Sequence, residues 1–206
     1  MIILTVDQAV EWMKEIQKRM DEHKEQLTVL DQAIGDGDHG INMTRGFTEV
    51  TAKIHHVNYD SVSDVLKSAA MTLMAKVGGA SGPLYGTAFL KMSVAMQGKD
   101  VDEHVFKQAI KEAVDGIHSR GKADFGEKTM YDVWSQVADF LEEEEVNDWG
   151  GMVEVCQATI EDTREMIATK GRASYLKERS KGHVDPGSMS SLYIFEALVE
   201  VLELEG

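Results

Sequence analysis

Apolar positions recur along this chain at the three- and four-residue steps of amphipathic helices. Thr5-Val-Asp-Gln8 has the form of a capping box, and Val10, Met13, Ile16 and Met20 follow it on one face. This predicts a helix of about twenty residues. Ser61-Val-Ser-Asp64 marks another start, followed by Val62, Val65, Leu66, Ala69, Leu73 and Met74 at helical spacing. The pattern returns at Ala109, Ile110, Ala113, Val114 and Ile117, then at Val133, Val137, Phe140 and Leu141, and again at Val153, Cys156, Ile160 and Ile167. A last helix is predicted from about Ser190 to Leu204, burying Leu192, Phe195, Leu198, Val199 and Leu202. Pro83 and Pro186 are the only prolines, which leaves long stretches free to be helical. No segment shows the period-two alternation of a half-buried strand. The reading is all-α, roughly eight helices, in a single domain over residues 1–206.

Charge and cysteine usage narrow the functions available. The formal net charge of −15 repels nucleic-acid backbones and acidic lipid surfaces, so neither is an expected partner. Phosphate binding in such a chain has to come from metal ions or backbone N–H groups. No apolar run reaches the length of a membrane span, and the start, "MIILTVDQAVEWMKE", lacks the basic leader of a signal peptide. Cys156 is the only cysteine, so no intramolecular disulfide can form and a cytoplasmic location is expected. The acidic run "FLEEEEVNDW", Phe140 to Trp149, sits near a helix C-terminus and reads as a solvated, slightly strained end.

The breaks between helices carry more information. "LDQAIGDGDHGIN" places Asp31, Asp36 and Asp38 among Gly35, Gly37 and Gly40. Carboxylates this close repel unless a cation lies between them. Converging on one or two hard cations, with water and phosphate oxygens completing an octahedron, they suit Mg²⁺. An EF-hand beginning at Asp36 is excluded, because Gly40 and Phe47 stand where ligands are required. Asp and Gly as plain turn formers are the competing reading, and Asp31 upstream with His39 and Asn42 downstream weigh against it.

"VGGASGPLYG" lays small residues and free N–H groups, with Ser81, ahead of a helix expected near Gly86, which forms an anion site without basic residues. Close helix packing selects the same residues. "GIHSRGKA" nearly matches a phosphate-binding P-loop, yet Ala123 stands at the Ser/Thr position and a helix precedes it, so it is not one. Arg120, Lys122 and Lys128 offer charges to phosphates or to solvent alike. In "GHVDPGSMSS", Asp185-Pro-Gly187 reads as a turn, with Ser188 or Ser190 capping the last helix.

Taken in order, "LDQAIGDGDHGINMTRGF", "GGASGPLYGTAF", "RGKADFGEKTMYDVW" and "GRASYLKERSKGHVDPGSMSS" resemble the nucleotide-binding L subunits of phosphotransferase-system-dependent dihydroxyacetone kinases, over essentially the whole chain. The resemblance implies a closed barrel of eight antiparallel helices with the nucleotide in loops at one rim. It implies that Asp31, Asp36 and Asp38 hold two Mg²⁺ ions. His39, Gly40, Ile41, Asn42, Ala80 and Ser81 match positions contacting phosphates. Gly121, Met130, Arg172, Asp185, Pro186 and Gly187 match further nucleotide contacts, with Met130 beside the adenine. In that family a retained ADP is rephosphorylated to ATP by a phosphohistidine-carrying M subunit, and the γ-phosphoryl passes to dihydroxyacetone held on a K subunit. L-type subunits also bind transcriptional regulators. An ATP-exchanging subunit of a related dihydroxyacetone or fatty acid kinase is the alternative enzymatic reading.

Overall fold

The computed structural model describes residues 2–143 and 149–203. Residues 144–148 of the acidic run, and Leu204, the predicted end of the last helix, lie outside them. Among the described residues nine α-helices follow in chain order: α1 (Val6–Glu22), α2 (Lys24–Ile34), α3 (His39–Ile54), α4 (Val62–Lys76), α5 (Ser81–Met96), α6 (Glu103–Gly121), α7 (Met130–Glu143), α8 (Gly150–Glu165) and α9 (Pro186–Glu203). A 3-10 segment, Arg172–Ser180, precedes α9. Two short strands, β1 (Ile2–Leu4) and β2 (Val101–Asp102), pair antiparallel. At three and two residues they are too short to display an alternation, which is why the all-α reading passes over them.

The capping box at Thr5 forms as predicted: its hydroxyl accepts from the Gln8 N–H and the Gln8 side chain accepts from the Thr5 N–H. α1 then buries Ala9, Trp12, Met13, Ile16 and Met20. Ser61 caps α4 in the same way through the Asp64 N–H. Four boundaries differ from the sequence reading. α1 stops at Glu22, and a single residue, His23, separates it from α2. α5 begins at Ser81 rather than near Gly86, because Pro83 falls in its first turn, where no N–H is needed. α8 ends at Glu165, leaving Ile167 in a loop. α9 begins at Pro186: Asp185, not a serine, accepts from the Ser188 N–H, and Pro186 takes the first helical position.

Sequential packing of α3 on α4, α4 on α5, α5 on α6, α6 on α7, α7 on α8 and α8 on α9 is completed by α1, which lies between α9 and α3. α2 packs against α3 and α9. α9 is buried on nearly all faces, including Tyr193, Ile194 and Ala197 beyond the predicted stripe. Its Ile194 carbonyl accepts from the indole N–H of Trp12 at 2.9 Å, which ties α1 to α9 inside the core. Trp12 meets Phe89 edge-on, and Trp134 lies against Phe195.

α4 and α5 approach closely. Ser63 and Ser93 exchange hydroxyl-to-carbonyl hydrogen bonds between the two helices, and Gly82 faces the end of α4. A Cβ at Gly82 would sit 2.3 Å from the Val77 carbonyl oxygen and 3.0 Å from that of Leu73. Both are backbone atoms and cannot swing away. Gly82→Ala is therefore expected to lower the unfolding free energy by about 2 kcal/mol. Urea denaturation checks this, and an unchanged midpoint would refute the tight approach.

Candidate functional site

One end of the helix array gathers the glycine-bearing loops. The last turn of α2 carries Asp31, and the helix stops at Gly35. A Cβ at Gly35 would lie 2.0 Å from an Asp31 carboxylate oxygen, so only glycine lets the chain fold back over that side chain. Asp31 is buried, and its Oδ2 accepts from the Asp38 N–H at 2.9 Å and the His39 N–H at 3.1 Å. Each of Asp31, Asp36 and Asp38 offers a carboxylate oxygen, and these atoms lie within 4.8 Å of one another. Burial raises the Asp31 pKa, as does repulsion from Asp36 and Asp38, while the two N–H donors oppose the rise. Arg172 places a guanidinium nitrogen 2.8 Å from Asp36. A compact oxygen donor set with excess negative charge fits a hard divalent cation.

Beside the carboxylates lies a cleft of about 200 Å³, lined by Asp31, Asp36, Asp38, His39, Ala80, Ser81, Met130, Arg172, Asp185, Pro186 and Gly187 among the residues expected from sequence. Four helices, α3, α5, α7 and α9, begin at it. α3 and α5 have no cap from their N-cap side chains. The His39 N–H of α3 is taken by Asp31, so the first N–H groups of α5 and the positive ends of both dipoles face an anion. α2 ends there instead, with its negative end at the carboxylates.

A second, more apolar recess of about 440 Å³ continues from the cleft, lined by Pro83, Leu84, Ile117, Gly121, Ala123, Met130 and Tyr131. Met130 and Ala80 belong to both. Gly121 thus lies in the recess rather than the cleft. Gly40, Ile41 and Asn42 line neither. A Cβ at Gly40 would strike the Lys24 carbonyl oxygen at 2.1 Å, so this glycine seats α3 on α2. Ile41 is exposed, and Asn42 accepts from Arg45 behind Gly78.

A buried polar chain backs the cleft. The His39 ring meets Ser190 Oγ at 2.9 Å through Nε2 and Ser81 Oγ at 3.2 Å through Nδ1. Burial lowers the His39 pKa to about 4, leaving a neutral ring that can relay a hydrogen bond between the two hydroxyls. The Tyr85 hydroxyl donates to the Gly187 carbonyl and meets Ser190 and Ser191, and Trp134 donates to Ser191. Ser190 is thereby a member of this chain rather than a helix cap. Asp132, fully buried, accepts from the Gly126 and Thr129 N–H groups at 2.6 Å each and shapes the loop before α7. Lys128 borders the cleft, but its ammonium is held by backbone carbonyls. Tyr85, Asp132, Gly78, Gly79, Lys170 and Gly171 are site-forming residues that the sequence reading did not single out. The first two stand within recognisable motifs, but nothing in their spacing marks them as buried polar nodes.

Burial pushes the Asp185 carboxyl up to about 7, against the Ser188 donors that favour its charged form. A pKa raised above the unfolded value of 3.8 means that the folded chain holds the extra proton between about pH 4 and pH 7. Its stabilising effect is complete below that window and lost as pH rises through it. Relative to Asp185→Asn, the protein should therefore lose about 3–4 kcal/mol between pH 4 and pH 7. Paired urea titrations across the window test this, and a constant difference would mean that the carboxyl is ionised throughout.

Similarity to known proteins agrees with this geometry. The DAK2 domain matches residues 33–200. "PEP-dependent dihydroxyacetone kinase 1, ADP-binding subunit DhaL" of Listeria innocua is 47% identical over 194 residues, spanning 94% of this chain and 96% of that one. The PTS-dependent ADP-binding subunit DhaL of Lactococcus lactis is 44% identical, spanning 97% of this chain and 100% of that one. The Escherichia coli PEP-dependent counterpart is 39% identical, over 95% and 96%. The crystal structure of the dihydroxyacetone kinase of C. freundii superposes with a TM-score of 0.75 at 22% identity, covering 93% of this chain and 34% of that longer one. The same enzyme in complex with AMP-PNP and Mg²⁺ gives 0.72 at 21% identity, over 93% and 33%. These likenesses establish the helical fold. The chain belongs to the DAK2 domain family, among the ADP-binding DhaL subunits of dihydroxyacetone kinases.

Proposed function

We infer that this chain is the ADP/ATP-binding phosphotransferase subunit of a dihydroxyacetone kinase. The observation that carries the reading is the convergence of Asp31, Asp36 and Asp38 within 4.8 Å, beside a cleft onto which four helix N-termini open. The carboxylates would hold two Mg²⁺ ions, which would supply charge neutralisation to a phosphate chain. Ser81, with its hydroxyl held by His39, and the N–H groups opening α5 would meet the phosphates, with the positive end of the α3 dipole beside them. Arg172, already at the carboxylate end, adds a cation there. Asp185, Pro186 and Gly187 form the floor, while Gly121 and Met130 border the apolar recess that suits an adenine ring. Gly40, Ile41 and Asn42 form the first turn of α3, which Gly40 seats on α2.

Phosphoryl transfer asks chiefly for positioning and charge neutralisation, and these groups supply both without a general base on this chain. The hydroxyl acceptor, dihydroxyacetone, would be presented by a separate K subunit, and a phosphohistidine-bearing M subunit would recharge retained ADP. The packing order described above supports a closed barrel of eight antiparallel helices with α2 outside the ring. The lone cysteine, buried in α8, suits a cytoplasmic setting. No helix among the described residues is long and apolar enough to cross a membrane.

Protein purified without added nucleotide, desalted and denatured, should release near-stoichiometric ADP with about two Mg²⁺ per chain. Asp36→Asn should abolish metal-dependent retention while far-UV circular dichroism stays helical. An empty site that neither ADP nor ATP fills in the presence of Mg²⁺ would overturn the reading. Full nucleotide and metal retention by the variant would overturn the carboxylate assignment.

A further inference from the structure

Lys128 is almost wholly buried, at 1% exposure, and belongs neither to the carboxylate end nor to the buried hydroxyl chain. Its Nζ donates to the carbonyls of Thr163 and, at 2.6 Å, His183, with those of Arg164 and Met166 each at 3.3 Å. An ammonium has three protons for these four oxygens. Three of the acceptors lie at the C-terminal end of α8, where the Thr163 carbonyl also accepts from the Met166 N–H and that of Arg164 from the Gly182 N–H. The fourth stands two residues before Asp185. The backbone of Lys128 is left-handed, with φ 62°, a conformation in which glycine or asparagine sits with less strain. Lys122 and Lys177 also have positive φ, but both are exposed. At residue 128 the conformation is held by the side chain and its four carbonyls.

The neighbours of Lys128 connect this clamp to the cleft. Thr129 donates its N–H to Asp132, and its carbonyl accepts from Ser188 Oγ. Met130 opens α7 and borders both the cleft and the apolar recess. On the other side, His183 leads through Val184 to Asp185, Pro186 and Gly187, the cleft floor. One buried cation therefore joins the end of α8 and the lead-in to α9 to the loop that starts α7.

We propose that Lys128 is a positioning residue that sets the spacing between Met130 and Asp185–Gly187, and through it the affinity of the cleft for nucleotide. The proposal rests on the nucleotide-binding reading above. It predicts an effect on the nucleotide apart from any effect on folding, because the carboxylate end is built from α2 and α3, which the clamp does not touch.

The test compares wild type with Lys128→Met and Lys128→Ala by calorimetric titration, well below each protein's melting temperature and with far-UV circular dichroism confirming a folded chain. Affinity for Mg²⁺–ADP should fall by about tenfold or more, while affinity for Mg²⁺ alone is retained. In Lys128→Ala the carbonyl oxygens surround the space of the lost ammonium, so ammonium chloride should restore nucleotide affinity where sodium chloride at equal ionic strength does not. Wild-type nucleotide affinity in folded variants, with only a lower melting temperature, would reduce Lys128 to a structural pin and overturn the proposal alone. A wild type that binds no Mg²⁺–ADP would overturn the underlying reading as well. Should both variants fail to fold, the Lys128 ammonium resonance of wild type in ¹⁵N spectra provides the decision. It should shift saturably on titration with Mg²⁺–ADP, and an unmoved signal would overturn the proposal.

Discussion

Three carboxylates whose oxygens lie within 4.8 Å of one another, on a chain of net charge −15, impose the constraint around which the rest of the molecule is arranged. Each pair at that separation repels by roughly 1 kcal/mol when fully screened by water and by about 3 kcal/mol at an effective dielectric near 20. Summed over the trio, this is a sizeable part of the 5–15 kcal/mol, roughly, that separates a folded domain from its unfolded chain. The protein meets it locally. Two backbone N–H groups face Asp31, the Arg172 guanidinium faces Asp36, and the glycine at position 35 lets the loop close over Asp31 without a clash.

The helices extend this local compensation to the whole rim. One end of the array collects the N-termini of α3, α5, α7 and α9. A chain that carries few basic residues near the site can then attract an anion through oriented backbone dipoles, while the C-terminus of α2 presents Asp31 to a cation. Cation and anion ends lie side by side, which is the arrangement a metal-bound polyphosphate needs. Behind them, the neutral His39 ring and the Tyr85, Ser190 and Ser191 hydroxyls fill a buried layer in which a charged group would be costly. This layer backs the cleft with its hydrogen bonds made internally.

Much of the fold was legible because amphipathic periodicity and capping chemistry are local. The box at Thr5, the cap at Ser61 and the buried faces of α1, α4, α6 and α7 depend on side chains a few residues apart. The misreadings arose where a local rule met tertiary context. Ser188 and Ser190 are good cap residues, but Pro186 was free to take the first helical position once Asp185 could serve as the cap. Pro83 looked like part of a loop, although a proline within the first turn leaves no hydrogen bond unmade. Lys128 looked like a surface charge because no sequence pattern announces an ammonium buried among carbonyls 35 to 55 residues away.

The sequence by itself determined the helical class, the trio of carboxylates on a glycine-rich break, and the motifs by which the family is recognised, all of which are properties of residue order over short spans. Only the tertiary structure decided that the trio converges, that Asp185 is half-buried while Asp36 pairs with Arg172, and that Gly121 lies in the apolar recess while Gly40 seats one helix on another. The physical reason is that burial, pKa and cavity shape depend on which distant backbone and side-chain groups approach a residue. Those approaches are set by the packing of whole helices.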